Sequence, residues 1–164
     1  MRVEYISPFS ESTFSILSTV LNPDGTAAKT TLKRGDIYLK PTSMSIMGVA
    51  AMVGLAGDVE GRVLFDMTKE TALYVAGAMN GEKFTAFDEM VKATIQELAN
   101  MITAQAVTKL HDLGFKFDLT PPALFTGENM EVATNLKVEA LVVPIELSGA
   151  GKIEVNVAIR ERVK

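Results

Sequence analysis

The chain has 164 residues, 48% of them hydrophobic, and a formal charge of −4, so residues 1–164 read as one domain long enough to bury its own apolar surface. It has no cysteine, which excludes disulfides, thiolate metal sites and a cysteine nucleophile. Its acidic, mixed-sign balance argues against nucleic acid as a partner, and with no apolar run of membrane length and no apolar stretch after Arg2, a cytoplasmic location is expected.

Phe9, Phe14, Ile16, Leu17, Val20 and Leu21 recur at helical spacing over residues 10–21, and Asn22-Pro23-Asp24-Gly25 supplies a stop. This predicts a first helix. Extended segments follow: TTLKRGDIYLK, SIMGVAAMVGLA and RVLFDM, with the turn over residues 57–61 closing a hairpin. Thr68 is the expected N-cap of a second helix, which carries Leu73, Val75, Ala76 and Met79 inward and ends at Asn80-Gly81.

The longest predicted element is a helix over about residues 87–113, closed by Gly114. After it come KFDL, a break at Thr120-Pro121-Pro122, ALF, a turn near Gly127, and two long strands joined by Gly149-Ala150-Gly151. Ile153, Val155, Val157 and Ile159 alternate as in a half-buried strand. The fold class is therefore α+β: an antiparallel sheet with long helices on one face. Each half runs from a helix to a glycine-turned strand pair, the mark of an internal duplication.

On the long helix, Phe87, Val91, Ile95, Leu98, Ile102, Ala106, Leu110 and Leu113 form one apolar stripe. Glu97 and Asn100, three residues apart, are neighbours on nearly the opposite side. Ala93 and Ala104 flank them along the helix, and Met90 and Met101 lie beside them, with no Lys or Arg between. Small residues admit another backbone and methionines make adaptable apolar contacts, so this face suits docking of a macromolecule with the polar pair at its centre.

The stretches FDMTKETALYVAGAMNGEKFTAFDEM, IQELANMITAQAVTKL and DLGFKFDLTPPALFTGENM resemble the CheX members of the CheC, CheX and FliY phosphatase family. The family signature is an acidic residue or serine, three others, Glu, two others, Asn. Glu97-Leu98-Ala99-Asn100 matches its second part, and Ala93 departs from the first position. Residues 10–21 hold no Glu-x-x-Asn, so the resemblance implies one site per chain.

It further implies a phosphatase for the aspartyl phosphate of a CheY-like response regulator, in chemotaxis or two-component signalling. In that role Asn100 orients the attacking water and Glu97 pairs with the receiver's lysine. The implied Mg2+ sits on the receiver, with no metal or cofactor bound by this chain. A non-catalytic receiver-binding or flagellar-switch adaptor of the same fold is the alternative. A homodimer is also expected, from the resemblance and from pairing of residues 135–148 and 152–163 across a two-fold axis. His111, the only histidine, reads as a capping or solvent-facing group. Gly54, Gly57 and Gly61 lack the Gly-Lys-Ser/Thr of a phosphate loop.

Overall fold

The computed structural model describes residues 3–22, 30–41, 44–132 and 138–162. The chain runs α1 (Val3–Val20), β1 (Leu32–Arg34), β2 (Tyr38–Lys40), β3 (Met44–Ser45), β4 (Val49–Gly57), β5 (Val59–Met67), α2 (Lys69–Asn80), α3 (Glu89–Asp112), β6 (Phe117–Leu119), β7 (Ala123–Thr126), β8 (Glu131–Val132), β9 (Ala140–Leu147) and β10 (Gly151–Glu161). The main sheet has the order β1-β9-β10-β5-β4-β6, with β2 also on β9 and β7 also on β4, while β3 and β8 form a separate pair. Exchanging β1 with β6, β4 with β9 and β5 with β10 returns the same order read from the opposite edge, so the duplication is present in the topology.

One face of this antiparallel sheet carries the helices. Val49, Ala51 and Leu55 of β4, Val63, Phe65 and Met67 of β5, and Ile153, Val155, Val157 and Ile159 of β10 meet Phe9, Leu17, Ile95, Leu98, Ile102 and Leu110 in one core. Their period of two is what puts them on one side. Helix α2 is capped as its sequence predicts: Thr68 accepts from the Thr71 amide, and Gly81 adopts φ 67°.

Several expectations are corrected. Helix α1 begins at Val3, well before residue 10, and contains Pro8 as its sixth residue; Pro8 has no N–H to donate to the carbonyl four residues earlier, and burial of Tyr5, Ile6 and Phe9 holds this turn against the core. The segment TTLKRGDIYLK forms two short strands on β9: between them the Gly35 amide donates to the Pro144 carbonyl (2.8 Å), but Pro144 has no N–H to continue the ladder. The β4–β5 turn is centred on Asp58, and Gly61 lies inside β5. Leu113 falls outside α3 and is 59% exposed, so it does not complete the apolar stripe. Positions 23–25, 135–137 and 163 lie outside the described residues.

The strand pairing expected between subunits meets strands already paired within the chain: β10 has β9 on one side over Gly151–Val157 and β5 on the other over Glu154–Glu161, and β9 has β10 on one side and β1 and β2 on the other. Among the described residues, most of each edge is thus taken up.

The sheet face away from the helices holds buried polar groups. Arg62 Nη1 donates to Asn156 Oδ1 (2.9 Å), and the Met47 amide donates to Asp66 Oδ1 (2.9 Å). Asp66 and Glu154 lie directly opposite each other on β5 and β10. Around Glu154 stand Lys40 (3.5 Å), Lys152 (3.7 Å) and the Tyr38 hydroxyl. Burial raises the Asp66 carboxyl above its ordinary value of 3.8, against the opposing pull of the Met47 amide and Lys40, and burial likewise raises Glu154.

A raised folded pKa means that the folded state keeps a proton the unfolded state has lost, so stability falls as pH rises from the unfolded carboxyl pKa to the folded one. Asp66→Asn keeps an acceptor for the Met47 amide and is expected to flatten that fall. Melting temperatures at a series of pH values above 4 for both proteins check this, and parallel profiles would show that Asp66 does not titrate there.

Candidate functional site

Asp88 starts α3 by accepting from the Val91 amide (3.0 Å). The helix buries Val91, Thr94, Ile95, Leu98, Ala99, Ile102, Thr103, Ala106, Val107 and Leu110, at spacings of three and four residues. With that face held, Ala93, Glu97, Asn100 and Ala104 are exposed, as the periodicity predicts. Met90 is 54% exposed, whereas Met101 is half-buried and contributes only part of its side chain to the surface. On a helical wheel Ala104 projects between Glu97 and Asn100, one turn further on.

Three side-chain contacts fix the rotation of α3. Asn80, at the end of α2, donates Nδ2 to Thr94 Oγ1 (2.9 Å). Gln96 donates Nε2 to the Pro122 carbonyl (3.2 Å), which ties the break after β6 to the helix one residue before Glu97. Lys109 reaches Glu11 on α1 (3.2 Å). The sequence reading missed Asn80 and Gln96; the signal available was an amide beside the site together with a proline pair whose carbonyls have no strand partner. His111 is exposed and meets the Phe117 ring edge-on, with centroids 5.1 Å apart; on the helical wheel it lies on the Glu97/Asn100 side, two turns beyond Ala104.

The electrostatics follow from the same contacts. Between Lys92 and Lys109 the only charged residue of α3 is Glu97. Lys92 is engaged by Glu89 (3.1 Å) and Lys109 by Glu11 (3.2 Å). Glu97 makes no ion pair among the described residues, so its carboxylate stands in an uncharged field beside the neutral donor and acceptor of Asn100. Among the described residues no group of three or more His, Asp or Glu is placed to hold a metal, and no helix is long and apolar enough to cross a membrane.

This fold is that of the CheC-like proteins. A CheC-like superfamily protein from Shewanella sp. PV-4 has 27% identity and a TM-score of 0.83 over 98% of this chain and 99% of its own. The family model for the chemotaxis phosphatase CheX matches residues 49–146, and the chain belongs to that family. A chain of the CheX–CheY–BeF3–Mg2+ complex from Borrelia burgdorferi is 44% identical, with a TM-score of 0.81 over 98% of this chain and 100% of its own. The CheY-P phosphatase CheX of Thermotoga maritima is 32% identical over 98 residues, 57% of this chain and 63% of that protein's length.

An exposed alanine accepts a long side chain at little cost, so Ala104→Arg is expected to change stability by no more than about 0.5 kcal/mol. A denaturant titration with unchanged midpoint and slope supports the outward placement; a large fall in midpoint would mean that Ala104 is packed inward.

Proposed function

We propose that this chain is a phosphatase for the aspartyl phosphate of a CheY-like receiver in chemotaxis or a related two-component pathway, acting in the cytoplasm as a single domain. The observation that carries this reading is the exposed Glu97/Asn100 pair on a helix face with no other charge, in a chain of the CheX family. The CheX–CheY–BeF3–Mg2+ relative supports a CheY-like partner and a Mg2+ that sits on that partner.

The chemistry asks for positioning more than covalent participation. A water oxygen bonds to phosphorus as the P–O bond to the receiver aspartate breaks, the carboxylate is regenerated, and the water proton leaves with inorganic phosphate. Asn100 holds that water through its carbonyl and amide without titrating at neutral pH. Glu97 anchors the complex by pairing with a receiver lysine, which its lack of an internal partner leaves it ready to do. Met90, Ala93, Met101 and Ala104 form the docking surface, small enough at both alanines for the receiver to approach the helix. Ala93 offers no hydrogen-bonding group, and this favours the second reading, an adaptor that binds receivers without hydrolysis.

We also propose a homodimer, through β2 and not through the C-terminal strands. Among the described residues β2 pairs only with β9, which leaves its outer edge open beside Ile37 (47% exposed) and Leu39 (58%). An open, apolar strand edge is a template for a second copy. Leu39→Lys is expected to convert the dimer to a monomer by light scattering, and a monomeric mass for the unaltered chain at micromolar concentration would remove the proposal.

The decisive measurement is the phosphoryl half-life of a phosphorylated receiver with and without the protein. Asn100→Ala should slow catalysed hydrolysis on the order of 100-fold while receiver binding stays measurable. Glu97→Gln should weaken binding roughly 10- to 100-fold, because it removes a charge-assisted contact. Ala104→Arg, though folded, should block both. A half-life unaffected by the unaltered protein, with binding intact, would establish the adaptor instead.

A further inference from the structure

Strands β6 and β7 are one edge strand with an interruption. Leu119 lies opposite Leu55 and Ala123 opposite Met52, so three residues, Thr120, Pro121 and Pro122, face only two on β4, Val53 and Gly54. The extra residue is a β-bulge, a place where an edge strand tolerates prolines that have no N–H for a ladder. Its effect shows in the faces: Phe117 packs in the helix-side core before the bulge, and Leu124, an odd number of residues later, packs there after it.

The bulge is clamped to β4. The Thr120 amide donates to the Gly54 carbonyl (3.0 Å), and the Gly54 amide donates back to Thr120 Oγ1 (2.8 Å). The Pro122 carbonyl goes instead to α3, where Gln96 Nε2 donates to it (3.2 Å). Gln96 is half-buried and Asn100 is exposed one turn further on; on a helical wheel the two are about 40° apart. The other side-chain hydrogen bonds from α3 to neighbouring elements, at Thr94 and Lys109, project about 120° and about 180° away from Asn100. Among the described residues, the Gln96–Pro122 bond is therefore the one that ties down the Asn100 flank of the helix.

We propose that Gln96 is a positioning residue for Asn100: held against the clamped bulge, it sets the rotation of the turn from which Asn100 projects, and so the point at which Asn100 holds the attacking water. The apolar contacts beneath α3 are non-directional, whereas this hydrogen bond has a required angle. With side chains about 5 Å from the helix axis, a rotation of about 10° displaces Asn100 by about 1 Å, and a misplacement of that size in a positioning group can cost about 100-fold in rate. Attraction between Glu97 and a receiver cation falls off only gradually with distance, so docking tolerates the same rotation. The inference rests on the proposed role of Asn100 and goes beyond it by assigning the alignment of that side chain to a contact between α3 and the edge strand.

The test is Gln96→Met, which keeps the length of the side chain and removes its donor. With a phosphorylated CheY-like receiver over a range of concentrations, kcat is expected to fall at least tenfold while KM changes less than threefold and the variant melts like the parent. Thr120→Val removes the hydroxyl that clamps the bulge and keeps its shape; it should lower kcat in the same way, and the two changes together should cost less than the product of their separate losses. If Gln96→Met folds and keeps the parent kcat, or loses activity through KM, Gln96 does not position Asn100. An unaltered protein that leaves the phosphoryl half-life unchanged would instead overturn the reading of Asn100, and this inference with it. Should Gln96→Met not fold, Thr120→Val alone decides by the same split: a lower kcat at parent KM supports the inference, and an unchanged kcat refutes it.

Discussion

The antiparallel pairing of β5 with β10 is the contact on which the rest of the molecule depends. It runs without interruption from Glu154 opposite Asp66 to Glu161 opposite Val59 and joins the two halves at the centre of the sheet. Its closeness sets a sequence requirement at Gly61, which has φ 150°: a Cβ there would stand 1.9 Å from the Ala158 carbonyl oxygen. No other residue type fits such an approach without moving one strand. Because the seam is closed on both sides, each hairpin can present its second face to the helices, and α1 and α3 are brought to one side of the sheet by the same geometry.

Helix α3 has two duties that compete for its surface. One side must bury enough apolar area to fix the helix, since packing of one face, more than intrinsic propensity, holds most helices in place. Under the proposed function the other side stays open to a partner. Threonines at 94 and 103 are buried yet satisfied, because each hydroxyl donates to the carbonyl four residues earlier, Met90 at 2.7 Å and Ala99 at 2.6 Å. That leaves their methyl groups for the core, and it leaves the outward face to residues chosen for something other than solubility. An ordinary solvated helix face alternates lysine with glutamate; from Ala93 to Thr108 this one has a single charge.

Much of this was legible in the residues. Helix α2 could be bounded at both ends because Thr68 and Gly81 are chemically suited to the caps they form, and the stripe on α3 could be read because its period is long and regular. The Glu97/Asn100 pair was located on the exposed side by spacing alone. What sequence could not supply were contacts between elements distant along the chain. The strands after residue 30 looked like one segment because nothing local shows that they pair opposite Pro144, which has no N–H to continue the ladder. The C-terminal strands looked available for pairing with another subunit because nothing local reveals that most of each strand is already paired within the chain. The start of α1 was missed because Pro8 looks like a boundary, whereas burial of Tyr5 and Ile6 against the core is a tertiary effect that no local rule registers.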